Sequence, residues 1–224
     1  MTQDCRAIVR APVLCLVTDL ATAPRALDEA IEECVAAGVD VVQVRARSLS
    51  GTKLLAHTEL ILRAARRGAA ARNGEVRVLV NRRADIALAA GADGVHLGFD
   101  GMPVQDARRL LGPSAWIGVS THDPQDARSA RDAGATYAHL APIYPPLSKA
   151  AERSPLGPAA LTAASAFGVP IFAQGGVTPG NAVTCLRAGA AGVAVTGTLL
   201  QATDPGAATR ALRAQLDTTK ATSD

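Results

Sequence analysis

Short apolar runs alternate along this chain with longer stretches in which apolar residues return every three or four positions. The first pattern fits buried strands, the second amphipathic helices packed on one face. Four of the runs share a local design: Ala37-Gly-Val-Asp-Val-Val-Gln-Val44, Ala90-Gly-Ala-Asp-Gly-Val-His-Leu97, Ala133-Gly-Ala-Thr-Tyr-Ala-His-Leu140 and Ala188-Gly-Ala-Ala-Gly-Val-Ala-Val195. Each reads as a helix end, a capping glycine and a strand. Gly38, Gly91, Gly134 and Gly189 stand 53, 43 and 55 residues apart, which leaves room for a further strand in every interval. Val76–Val80, Ala115–Val119 and Val169–Ala173 fill those places, and Val13–Val17 adds another at the start. The stretches Pro24–Ala37, Thr52–Arg67, Pro124–Ala133 and Pro179–Ala188 have helical period, and three of them open on proline. Eight strands alternating with helices in this length predict an α/β fold, a single (β/α)8 TIM barrel, rather than a doubly wound open sheet. The barrel is expected over residues 1–217, with 218–224 as a flexible tail.

Glycines cluster in two consecutive strand-to-helix turns near the C-terminus, Ala173-Gln-Gly-Gly-Val-Thr-Pro-Gly180 and Ala191-Gly-Val-Ala-Val-Thr-Gly-Thr198. A barrel of this kind places its phosphate site on those two units. Gly175, Gly176 and Gly197 let backbone N–H groups approach an anion with no Cβ in the way, and a helix from Pro179 adds its positive end. Plain turn formation is the alternative.

Composition narrows the partners. Hydrophobic residues make up 48% of the 224 positions and charged ones 19%, the balance of one folded domain with a substantial core. A net charge of +3 suits a small anion, and no basic block or aromatic platform marks a nucleic-acid binder. Cys5, Cys15, Cys34 and Cys185 have no C-x-x-C spacing and sit in apolar surroundings, as reduced thiols of a cytoplasmic protein would. The run Val13–Val17 follows Arg6 and Arg10 but is too short for a signal segment and is broken by Asp19, so export is not expected. No run approaches a membrane span. No pair of histidines has metal-ligand spacing.

Chemistry in such a barrel belongs at the C-terminal ends of the strands. The polar residues there are Gln43, Arg45 and Arg47, then Asn81, Arg82 and Arg83, His96, Ser120 with Thr121 and His122, and the segment Pro142-Ile-Tyr-Pro-Pro-Leu-Ser-Lys149. Strand alternation puts Gln43 and Arg45 on one face. That pair fits an anionic or polar ligand, or else a structural ion pair with a neighbouring acid. His96 and His139 read as core packing, and His57 lies on an outer helix.

Gln43-Val-Arg45, Val80-Asn81, Asp85-Ile-Ala-Leu88, Gly94-Val-His-Leu-Gly98, Ile117-Gly-Val-Ser-Thr-His122, Pro142-Ile-Tyr-Pro145 with Lys149, and Gly175-Gly-Val-Thr178 together resemble the thiamine phosphate synthase/TenI family, from Val13 to about Pro205. The resemblance implies a barrel enzyme of thiamine biosynthesis that holds a phosphorylated thiazole, its phosphate at Gly175, Gly176, Thr196 and Gly197. Candidate substrate contacts are Gln43, Arg45, Arg47, Asn81, Arg82, Ser120 and Ser148, and candidate catalytic residues are His122 and Lys149. The synthase branch joins a pyrimidine diphosphate to the thiazole phosphate with Mg2+ held by two aspartates. Arg82 and Gly101 stand at those two positions here, with Asp100 one place early. Such replacements repel rather than hold the cation. The TenI-like branch, which lacks the aspartates and resembles thiazole tautomerases, is therefore expected. Its reaction aromatises a thiazole carboxylate phosphate by proton transfer, a task for His122 that needs no cofactor. Arg82 is then expected to grip the substrate carboxylate. Thiamine phosphate synthase with Mg2+ is the alternative, and a regulatory barrel that only binds a phosphorylated ligand is the second. A homo-oligomer stays open.

Overall fold

The computed structural model describes residues 12–20, 26–98, 100–145 and 153–219. Eight parallel strands close into a barrel in sequence order: β1 Val13–Val17, β2 Val41–Val44, β3 Arg77–Asn81, β4 Gly94–Leu97, β5 Trp116–Thr121, β6 Tyr137–Leu140, β7 Ile171–Gln174 and β8 Gly192–Val195. The closing pair is β1 with β8, in which Val13 lies opposite Gly192 and Leu16 opposite Val195. Helices alternate with the strands: α1 Leu27–Ala36, α2 Gly51–Ala71, α3 Ala84–Ala90, α4 Val104–Leu111, α5 Asp126–Asp132, α6 Pro158–Ser165, α7 Pro179–Arg187, a short α8 Gly197–Leu200, and α9 Pro205–Asp217. The barrel expected from the strand and helix periods is the observed architecture. Each of the glycines at 38, 91, 134 and 189 has a positive φ just after a helix, the reason for the repeat.

Closure buries both faces of every strand, which is why the strands read as unbroken apolar runs. Leu14, Leu16, Val42, Val44, Val80, Val95 and Val193 point outward into the main core beneath the helices. Cys15, Val17, Val41, Leu79, Trp116, Tyr137, Phe172 and Ala194 point inward and fill the barrel. Tyr137 and Phe172 stack at the centre with ring centroids 4.6 Å apart. The Tyr137 ring fits because Gly118 across from it has no side chain: a Cβ there would lie 2.1 Å from the ring carbon Cζ. Gly118→Ala is therefore expected to destabilise the protein by about 1–3 kcal/mol, the usual range for overpacking a full core. Urea unfolding reads this as a lowered midpoint, and an unchanged midpoint would sink the packing account.

The N-terminal end of the barrel is tied by ion pairs. Asp40 accepts from Leu14 N at 2.9 Å and from Arg213 Nη1 at 3.0 Å, while Arg213 Nη2 reaches Pro12 O at 3.0 Å and so locks α9 under β1. These ties lie at the end opposite the one where such a barrel binds its ligand. Cys15, Cys34 and Cys185 are buried free thiols, and burial pushes the Cys34 thiol up to about 11. Cys5 lies outside the described residues. So does most of the expected tail; Thr218 and Thr219 cap the end of α9, their hydroxyls donating to Gln215 O and Leu216 O. Among the described residues no helix is long and apolar enough to cross a membrane.

Candidate functional site

A cavity of about 510 Å3 opens at the C-terminal ends of the strands. Gln43, Arg45, Arg47, Asn81, Arg82, Ser120, His122, Gly175, Gly176, Thr196 and Gly197 all line it. The other two candidates, Ser148 and Lys149, lie outside the described residues.

One wall is built by β7, β8 and the turns at their C-terminal ends. Gly175 and Gly176 have φ of 93° and 62°. Asn181 fastens this turn to the start of α7: its Nδ2 donates to Gly176 O at 3.0 Å and its Oδ1 accepts from Thr178 N at 2.8 Å. Thr198 Oγ1 donates to Val177 O at 2.6 Å, which ties the β8 turn to the β7 turn. Two glycine turns thus form one continuous concave surface.

The facing wall comes from β1 to β4. Thr18, fully buried, accepts from Arg45 N at 2.8 Å and fixes the backbone where Arg45 enters the cavity. Arg45 Nη1 lies 3.4 Å from Asp19 Oδ2, so the structural ion pair with a neighbouring acid does form, at the cavity wall. Gln43 Nε2 donates to Asn81 Oδ1 at 2.9 Å, while its buried Oε1 meets no donor among the described residues. A ligand donor at the floor of the cavity would satisfy it. Arg82 Nη1 lies 2.8 Å from Asp100 Oδ1, and this guanidinium holds the Asp100 carboxyl below the usual carboxylate range. Arg83 beside it turns away to pair with Asp85.

His122 lies just past the end of β5 with Nδ1 2.8 Å from Ala141 O. A carbonyl only accepts, so Nδ1 is the donor in this contact, which fixes the orientation of the ring. The helix start ahead of α5 is served by other groups: Asp126 Oδ2 accepts from His122 N at 3.1 Å and from Asp123 N at 3.2 Å. The His122 side chain lines the cavity.

His96, which the sequence suggests as packing, is buried yet reaches the cavity. Its Nε2 lies 2.9 Å from Ser120 Oγ and its Nδ1 3.0 Å from Tyr137 Oη, a polar chain that runs from the cavity floor into the barrel. Burial holds its pKa well below the ordinary value. His139 is buried as expected, and neither ring nitrogen has a hydrogen bond of good geometry. The cavity also takes in Asp19, Gln174 and Arg153, which sequence reasoning missed. Gln174 carries a usable signal, because it alternates with inward Phe172 on β7. Arg153 stands outside the strands and carries no periodic signal.

The family model described as thiamine monophosphate synthase matches residues 14–199. This chain belongs to that family. Among relatives, a thiamine-phosphate synthase from Chlorobium luteolum is 40% identical over 211 residues, covering 94% of this chain and 95% of that one. A thiamine-phosphate synthase from Haloquadratum walsbyi is 40% identical over 200 residues (88% and 87% covered), and a putative one from Geobacter sulfurreducens is 44% identical over 205 (91% and 93%). The thiamine phosphate pyrophosphorylase of Pyrococcus furiosus superposes with a TM-score of 0.79 at 26% identity, covering 92% of this chain and 96% of that one. Against these family members, the positions expected to carry a divalent cation here do not fit one. Arg82 is itself a cation, it occupies Asp100, and Gly101 offers no ligand.

Proposed function

We propose that this enzyme of thiamine biosynthesis is a thiamine-phosphate synthase, joining a pyrimidine diphosphate to a thiazole phosphate. The relatives' names favour this reading over the tautomerase expected from the sequence. The observation that carries it is the layout of charge in the cavity. Arg45, Arg47, Arg82 and Arg153 line it against Asp19 and Asp100, a surplus of two positive side chains; Arg45, Arg47 and Arg82 follow β2 and β3, opposite the glycine turns, and Arg153 comes from the segment after β6. A monophosphate suits the glycine turns, where backbone N–H groups can surround it. A leaving diphosphate suits the arginines. The C–O bond to the pyrimidine breaks with its electron pair passing to the diphosphate, the thiazole nitrogen supplies the pair for the new C–N bond, and fixed cations beside the diphosphate stabilise the charge that develops on it. A lone carboxylate, the second anion of a tautomerase substrate, needs one bidentate arginine rather than four.

His122 favours a second reading. The ring lines the cavity with Nδ1 held by Ala141 O, a position suited to the proton transfer of a thiazole tautomerase. One pair of assays tests both. Pure protein given the two synthase substrates should form thiamine phosphate. Given the thiazole tautomer in D2O, it should not exchange carbon-bound hydrogen. The reverse result overturns the synthase in favour of the tautomerase, with His122→Asn then abolishing exchange while binding survives.

A further inference from the structure

Arg82 is held in an uncommon way. Its φ of 65° is in the left-handed region, and its backbone N donates to His96 O at 2.8 Å, so the residue turns out of β3 toward the end of β4. A side chain other than glycine is rarely kept in that conformation without a purpose. Gly98 makes room for the guanidinium: a Cβ there would lie 2.7 Å from Arg82 Nη1 and 3.0 Å from Asp100 Oδ1. The Arg82–Asp100 pair therefore lies directly across the end of β4. Arg47, on the neighbouring β2 loop, adds its positive charge and further lowers the Asp100 carboxyl. Arg82 thus pairs with one carboxylate at the end of β3, four strands around the barrel from the glycine turn of β7, and Arg47 lines the same cavity from the β2 side.

We propose that Arg82 and Arg47 form a diphosphate site that works without a divalent cation, with Asp100 as the resident counter-ion that the ligand displaces. The diphosphate is taken from the synthase reading, on which the proposal rests. The physical case is charge replacement. A guanidinium presents fixed donors to two oxygens of one phosphoryl group and cannot lose its proton at working pH. Two of them supply the same double positive charge as one divalent ion. Asp100 keeps the pair oriented between ligands, and because the pair is exposed its displacement costs little.

Inorganic pyrophosphate is the probe, measured by calorimetric titration of the wild-type protein in EDTA and again with Mg2+. Binding is expected in EDTA and should not tighten when Mg2+ is added. Arg82→Gly, which the left-handed backbone accepts, should weaken it about tenfold or more, the usual loss for a charge-assisted pair. Asp100→Asn should tighten it about two- to fivefold by removing the competitor. A thermal melt matching wild type confirms that each variant is folded, and Arg82→Lys supplies a folded second variant if the glycine form is not. Pyrophosphate binding that requires Mg2+, or that ignores both Arg82 variants, overturns the proposal. Turnover separates it from the synthase reading. Thiamine phosphate formation that EDTA abolishes would leave the synthase standing and remove the metal-free site, whereas EDTA-resistant pyrophosphate binding without turnover would keep the site and remove the synthase.

Discussion

Lowering the pH from 6.5 to about 5 should destabilise the fold through two histidines inside the barrel, by about 1.5 kcal/mol from His139 alone. His96 and His139 are both about 1% exposed, with ring centroids 4.3 Å apart. Burial is the first cause of lowering in each; the charge of His139 adds to it for His96, and His139 falls to about 3. Gln174 opposes the shift at His139 only in part. Both folded values lie below the unfolded one of 6.5. In this window the unfolded chain binds protons that the native state refuses, so stability is complete above pH 6.5 and falls with pH until the folded value of His139 is reached. His139 contributes about 1.5 kcal/mol between pH 6.5 and 5, and His96 adds to the loss in the same direction. Urea unfolding at half-unit steps should show that loss. His139→Leu should remove its own share of the slope, whatever it does to the absolute midpoint. A midpoint flat across this window would mean that the two rings are protonated or hydrated in the native state.

Those two histidines also show where reading the chain runs out. The glycine-then-strand repeats betrayed the barrel because each turn demands a positive φ that glycine supplies. Closure, however, makes both faces of a strand apolar, so the sequence does not say which residues fill the barrel and which pack under helices. His96 and His139 look alike in Val-His-Leu and Ala-His-Leu. Only the register separates them: Ser120 lies opposite His139 on β6, yet its hydroxyl reaches across to His96. Helix ends were similarly obscured. α2 runs to Ala71 rather than stopping near Arg67 because Gly68, normally a weak helix residue, is the contact point with α1, where a Cβ would meet Glu32 O at 2.5 Å.

The site was legible to the extent that chemistry sits at strand ends. Gln43, Arg45, Asn81 and Ser120 could be placed by alternation and by the C-terminal rule alone. Pairings between loops could not. Arg82 and Asp100 are 18 residues apart, and their meeting depends on Gly98 and on a backbone turned left-handed at a residue that is not glycine. Asp19 reaches Arg45 by the same kind of loop proximity, 26 residues away. Tertiary closure of the strands brings these groups together, and no periodic signal records it.

Gly176→Ala should lower kcat/KM by about a hundredfold or more, the scale on which a misplacement of roughly 1 Å acts at a site. At φ 62° an alanine already costs about 1–2 kcal/mol. Its methyl would also lie 2.3 Å from Pro145 O and 2.7 Å from Tyr144 Cβ, so the opposing segment must move. That segment cannot move alone. Ile143 N donates to Gln174 O at 2.8 Å and Tyr144 N to Gly175 O at 3.1 Å, while Ala141 O holds His122 at 2.8 Å. A shift at Gly176 therefore displaces the glycine wall and loosens the histidine, and KM for the phosphorylated thiazole should rise along with the fall in kcat. Gly180→Ala is the control four residues on: it lies in α7, and its Cβ would meet only Thr178 Oγ1, at 3.8 Å. It should leave kinetics unchanged and stabilise the helix by about 0.5–1 kcal/mol. If Gly176→Ala kept wild-type kcat/KM, backbone approach at this turn would have no part in holding the substrate, and the phosphate would have to be sought at the arginine wall instead.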